Sequence, residues 1–151
     1  MSLKEKLMDD LKTAMRNKDK LSKDAITMIR ADIKRKEVDE RIEVTDEQIL
    51  DIISKQLKEK KASIEDFKKG NRQDLVDKTN DEIQVLLRYL PEQLSEDDLR
   101  KIVVEAIKKE NISSQKEIGK LMKAVMPLVK GKADGKEGNR IALDYFNEPR
   151  D

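Results

Sequence analysis

A chain of 151 residues in which 33 basic and 32 acidic side chains nearly cancel has no global charge to draw it to nucleic acid or membrane. It contains neither cysteine nor histidine, which excludes disulfides, thiolate chemistry, zinc sites of the usual nitrogen and sulfur type, and any Ser-His or Cys-His nucleophile. With 43% charged and 3% aromatic residues, five glycines and three prolines, it has the makeup of an all-α protein with thin apolar stripes and solvated outer faces.

The first element follows directly. Leu3, Leu7, Met8, Leu11, Ala14 and Met15 recur at three- and four-residue spacing and predict an amphipathic helix ending near Asn17. A second is expected after Ser22 as N-cap, with Ile26, Ile29, Arg30 and Ile33 on one side, running out in the polar KRKEVDERIEV. TDEQ at 45–48 reads as a capping box, the Thr45 hydroxyl capping while Gln48 reaches back. Behind it Ile49, Ile52, Ile53, Gln56, Leu57, Ile64 and Phe67 make a long third helix stopped by Gly70 at a C′ position. Along that helix, i,i+4 pairs such as Lys55–Glu59 and Glu65–Lys69 are expected to stabilise a solvated face. A fourth helix turns Leu75, Val76, Thr79, Ile83, Leu86, Leu87 and Leu90 inward. No run alternates with period two for long enough to predict a strand.

Pro91 interrupts the pattern and sets an expected boundary: an N-terminal bundle of about four helices over residues 1–90, and a small three-helix domain over 91–151. Ser95 is placed to cap a fifth helix bearing Leu99, Ile102, Val103, Ala106 and Ile107. SSQKE then offers Ser114 and Glu117 as another capping box, opening a sixth helix that Pro127 ends or kinks. Asp134 can cap a seventh, with Ile141, Leu143 and Phe146 inward. The start MSLKEKLMDDLK lacks the apolar run of a signal peptide, and nowhere do eighteen apolar residues follow one another. A soluble, cytoplasmic protein without membrane association is the expectation.

One segment stands apart. From Lys120 to Lys132 there are four lysines and no acid, and Lys116 to Arg140 holds seven basic residues against Glu117, Asp134 and Glu137, a local net of +4. Lys120 and Lys123 share a helix face, while Lys130, Lys132, Lys136 and Arg140 follow on the next turn and helix start. Gly131 and Gly135 would let a ligand approach the backbone, and amides at a helix N-terminus favour phosphate, with Asp134 opposing at the cap. Such a patch suits the phosphate backbone of a folded RNA, and equally the solvated faces of two capped helices. Phe67, Tyr89, Tyr145 and Phe146 are the only aromatics, too few for a base-stacking platform, so any RNA would be held by shape and charge.

Catalytic signals are absent. SSQK at 113–116 has the residue types of a serine–serine–lysine amidase but no glycine-rich oxyanion loop, and GKADGKEG lacks the spacing of a phosphate-binding loop. No catalytic residue, metal or cofactor is expected.

YLPEQLSEDDLRKIV (89–103), GKLMKAVMPLVKGKADGK (119–136) and NRQDLVDK (71–78) together resemble the YqeY-like family. That family shares its C-terminal region with the tail of the B subunit of the glutamine-dependent aminoacyl-tRNA amidotransferase, a tail that contacts transfer RNA and holds no active site. The resemblance implies an all-helical protein and a non-catalytic, transfer-RNA-associated module. Its alternatives are a protein-interaction accessory of an amidotransferase or other translation enzyme and, more remotely, a glutamine-dependent carbon–nitrogen ligase in its own right. Family members place apolar residues straight after GKADGK, where this chain has Glu137 and Gly138, and a glycine there weakens a first helical turn by roughly 0.5–1 kcal/mol.

Overall fold

The computed structural model describes residues 1–148, and among them it is all-α: seven helices, one short 3₁₀ turn and no strand. The chain divides into two compact units, Met1–Leu90 and Pro91–Asp151.

The first unit holds α1 (Leu3–Arg16), α2 (Lys20–Glu40), α3 (Asp46–Lys69) and α4 (Gln73–Leu87). Its core joins Leu7 and Leu11 of α1, Ile26, Ile29 and Ile33 of α2, Ile49, Ile53 and Leu57 of α3, and Ile83, Val85 and Leu86 of α4. The anticipated apolar stripes account for nearly all of these, because each recurs at helical spacing. Met15 departs from its stripe, standing 57% exposed on α1. Ser2 caps α1 through its hydroxyl, and the Thr45–Gln48 capping box closes in both directions at 3.2 and 2.9 Å.

Four expectations are corrected here. Asp19, not Ser22, caps α2: its carboxylate accepts from the Ser22 amide at 3.1 Å, which holds the Asp19 carboxyl below its ordinary range, and Ser22 sits buried one turn inside. The polar KRKEVDE stays helical to Glu40, since Lys, Arg and Glu are strong helix formers and Lys36–Glu40 pairs at 2.8 Å. Gly70 ends α3 at φ −86°, and the left-handed turn falls one residue later, at Asn71 with φ 56°. On α3 neither Lys55–Glu59 nor Glu65–Lys69 forms an ion pair among the described residues; instead Lys60 crosses to Glu82 of α4 at 2.6 Å.

The second unit holds α5 (Glu96–Lys109), the 3₁₀ turn Gln115–Glu117, α6 (Ile118–Val129) and α7 (Gly135–Asn147). Leu99, Val103 and Ile107 of α5 pack with Leu121, Val125 and Val129 of α6 and with Ile141 and Ala142 of α7. Ser95 caps α5 through the Asp98 amide at 3.1 Å. Ser114 makes no such cap; the Glu117 carboxylate turns instead to the Ser113 amide at 3.4 Å. Pro127 does not end α6, which continues to Val129. Its ring faces solvent, as does Lys123 four residues earlier, so the carbonyl deprived of its amide partner opens to water. None of the described helices is long and apolar enough to cross a membrane.

Candidate nucleic-acid interface

The basic segment occupies the outer face of α6, the turn behind it and the start of α7. Leu121, Val125 and Val129 point α6 inward, which places Lys120, Lys123 and Pro127 outward. Lys123, Lys132 and Lys136 have no carboxylate in ion-pair range among the described residues, and the Lys120 ammonium reaches only the Glu110 carbonyl at 3.4 Å. These lysines are surface cations whose charge is not locally cancelled.

Arg140 behaves differently. Its guanidinium is shared among Glu96 at 2.6 Å, Glu137 at 2.9 Å and Asp144 at 3.2 Å. Hydrogen bonding to Glu96 first, then to Glu137, pushes its pKa further above an already high ordinary value. With four of its five N–H donors engaged and three carboxylates cancelling its charge, Arg140 stands apart from the lysines it was grouped with. Lys130 sits at the C-cap of α6, exposed and already partnered.

The glycines also have local explanations. Gly131 adopts φ 76°, the left-handed region that turns the chain out of α6. Its carbonyl accepts from Gln93 Nε2 at 2.8 Å, and the Lys132 carbonyl accepts from the Leu94 amide at 2.9 Å. The Met126 thioether covers Gly135, so that a Cβ added there would sit 3.0 Å from Sδ. The Asp134 carboxylate accepts from the Lys136 amide at 3.1 Å, placing negative charge at the N-terminus of α7. Gly138 is buried, and an added Cβ would meet Met122 Cε at 3.5 Å, ordinary contact; the helix begins at Gly135 regardless. Ser113, Ser114 and Lys116 are not hydrogen-bonded to one another among the described residues.

What the segment offers chemically is a short stretch of exposed ammonium groups without carboxylate partners among the described residues, together with exposed Pro127 and Leu128. Sequence reasoning missed that last pair, and its signal was the phase of α6: Leu128 falls off the stripe set by Leu121 and Val125.

A model of the Yqey-like protein family matches residues 4–143. The protein named altered inheritance of mitochondria protein 41, mitochondrial, from Pyrenophora tritici-repentis is 34% identical over 131 residues, covering 85% of this chain and 71% of that relative. Its namesakes from Lachancea thermotolerans and Kluyveromyces lactis are 44% and 42% identical over 85 and 84 residues. This chain spans less than half the length of those two, 46% and 45%. The mitochondrial names of these relatives overturn the expectation of a cytoplasmic protein.

Proposed function

This chain belongs to the YqeY-like family, and on that premise we propose that its second unit is a non-catalytic module that holds transfer RNA by shape and phosphate charge. The observation that carries the reading is the row Lys120, Lys123, Lys132 and Lys136, four exposed ammonium groups without a carboxylate partner on one short stretch of a nearly neutral chain. Phosphate contacts of this kind position a folded RNA without reading its sequence, which agrees with the lack of a stacking aromatic among them. The relation to glutamine-dependent amidotransferases enters through the resemblance of the C-terminal motifs, and with it a role in translation.

Labelled bulk transfer RNA titrated at low and moderate salt tests the reading. Log K is expected to fall with log salt by ~0.7–0.9 per phosphate contacted. A variant with Lys120, Lys123, Lys132 and Lys136 changed to glutamine is expected to fold with unchanged helicity and to lose that binding. No binding by the parent chain at low salt, or full binding by the folded variant, would reject the proposal and favour a protein partner.

A further inference from the structure

A second surface lies on the first unit and rests on different observations. α1 and α2 form an antiparallel hairpin, as the Lys4–Glu37 ion pair at 2.9 Å at its open end requires. On its flank runs a groove of about 650 Å³ whose floor includes Leu7 and Ile33.

The two walls of the groove differ in chemistry. The α2 wall carries Arg30 and Lys34 with Thr27 between turns, and Lys23 continues the same strip one turn earlier. Lys23, Arg30 and Lys34 span ~16 Å along the helix axis at 1.5 Å per residue. None of the three has a carboxylate partner among the described residues. The α1 wall carries Met8, half-buried at the groove; Met15, seven residues on along the same helix face and 57% exposed, lies beyond the groove in a neighbouring hollow with Asp9, Lys12 and Arg16. Two acids border the groove. Glu37 is committed to Lys4 and to the Val44 amide at 3.1 Å, and Glu5 stands exposed at the rim.

We propose that the α1–α2 groove receives an acidic amphipathic helix from a partner protein, its apolar stripe against Met8 and Met15 and its acidic flank against Lys23, Arg30 and Lys34. Charge complementarity selects the sign of the partner. The unbranched thioethers select an apolar helix face, because methionine repacks around varied side chains. A helix laid along the hairpin meets both walls at once and completes a three-helix arrangement at ordinary interaxial distances of ~8–10 Å. A nucleic-acid backbone would use the α2 wall and leave the methionines idle. A flat bilayer surface would leave the floor unfilled.

The test uses a synthetic helix of about 18 residues, with leucines at i, i+3, i+4 and i+7 and glutamates on one flank, against an isomer with the leucines scattered. Fluorescence anisotropy on the full chain is expected to show the ordered peptide binding at least ~10-fold tighter than its isomer. With methyl-labelled methionine, the resonances of Met8 and Met15 should shift while those of Met122 and Met126 stay. Lys23→Glu/Arg30→Glu/Lys34→Glu, checked for unchanged helicity, should cost at least ~10-fold, as should the exposed single change Met15→Gln. Equal binding of the two isomers, or no binding by either, overturns the proposal. It is overturned also if duplex RNA or phosphatidylserine vesicles displace the ordered peptide at lower concentration than the unlabelled peptide does. Failure here leaves the transfer-RNA proposal standing, since that rests on lysines of the second unit.

Discussion

Individual backbone positions decide where these helices end, and they do so with few glycines. Lys18, Arg41, Asn71 and Asn111 all stand at φ between 53° and 56°, each just past a helix. A left-handed L-residue costs roughly 1–2 kcal/mol, so Arg41→Gly is expected to raise stability by about 0.5–1 kcal/mol once the greater freedom of the unfolded chain is subtracted. Gly131 is the converse case. At φ 76°, Gly131→Ala is expected to cost about 1–2 kcal/mol in urea melts even though the Pro91 ring, 3.6 Å from the new methyl, leaves room for it. Gly119 meets nothing within 4 Å of an added Cβ and sits inside α6, so Gly119→Ala should stabilise by about 0.5–1 kcal/mol. Opposite signs from three glycine-linked changes would separate conformational strain from packing.

Whole helices are tied to one another by a small number of polar contacts, and Glu37 is the clearest. From α2 it grips Lys4 of α1 and the Val44 amide leading into α3, which lowers its carboxyl below the ordinary 4.5 chiefly through the Lys4 hydrogen bond. A depressed carboxylate contributes stability that is complete above its unfolded value and is lost as pH falls through the folded one. Glu37→Gln should therefore lower Tm at neutral pH, and the gap to the parent should close as pH drops below about 4.5. At this scale the sequence was legible where one residue type has one geometric use. Thr45, Gln48, Ser95 and Asp134 were placed correctly because a side-chain oxygen two or three residues from an unpaired first-turn amide has few other roles there. It was illegible where two candidates competed, as Asp19 did with Ser22, or where solvent relieved a penalty, as it does at Pro127. In the basic segment the lysines were identifiable as a group, and Glu137 and Asp144, three residues before and four after it on α7, were the local signal that sets Arg140 apart from them. Its partner Glu96 is 44 residues away, and only the packing of α5 against α7 brings the two together.

The molecule as a whole rests on two apolar clusters that share no residue, one in each unit. The smaller unit buries proportionally less of its surface, as any short chain must, and is expected to be the less stable. Leu121→Ala removes a wholly buried side chain there and should cost about 2–5 kcal/mol. Amide exchange is expected to accelerate across α5–α7 in that variant, while the amides of α1–α4 keep their protection. Acceleration across all seven helices would show that the two clusters stand or fall together.

The double hydrogen bond of Gln93, to the carbonyls of Pro91 and Gly131 at 2.9 and 2.8 Å, with the Leu94–Lys132 bond beside it, has a meaning for recombination. These bonds fasten the entry segment of the second unit to its own interior turn, so the stretch beginning at Pro91 brings its clasp with it when spliced behind another sequence. A graft cut four residues later, at Ser95, would keep every helix and lose the fastening. A stretch that can be transplanted whole is one that different chains can carry as a tail.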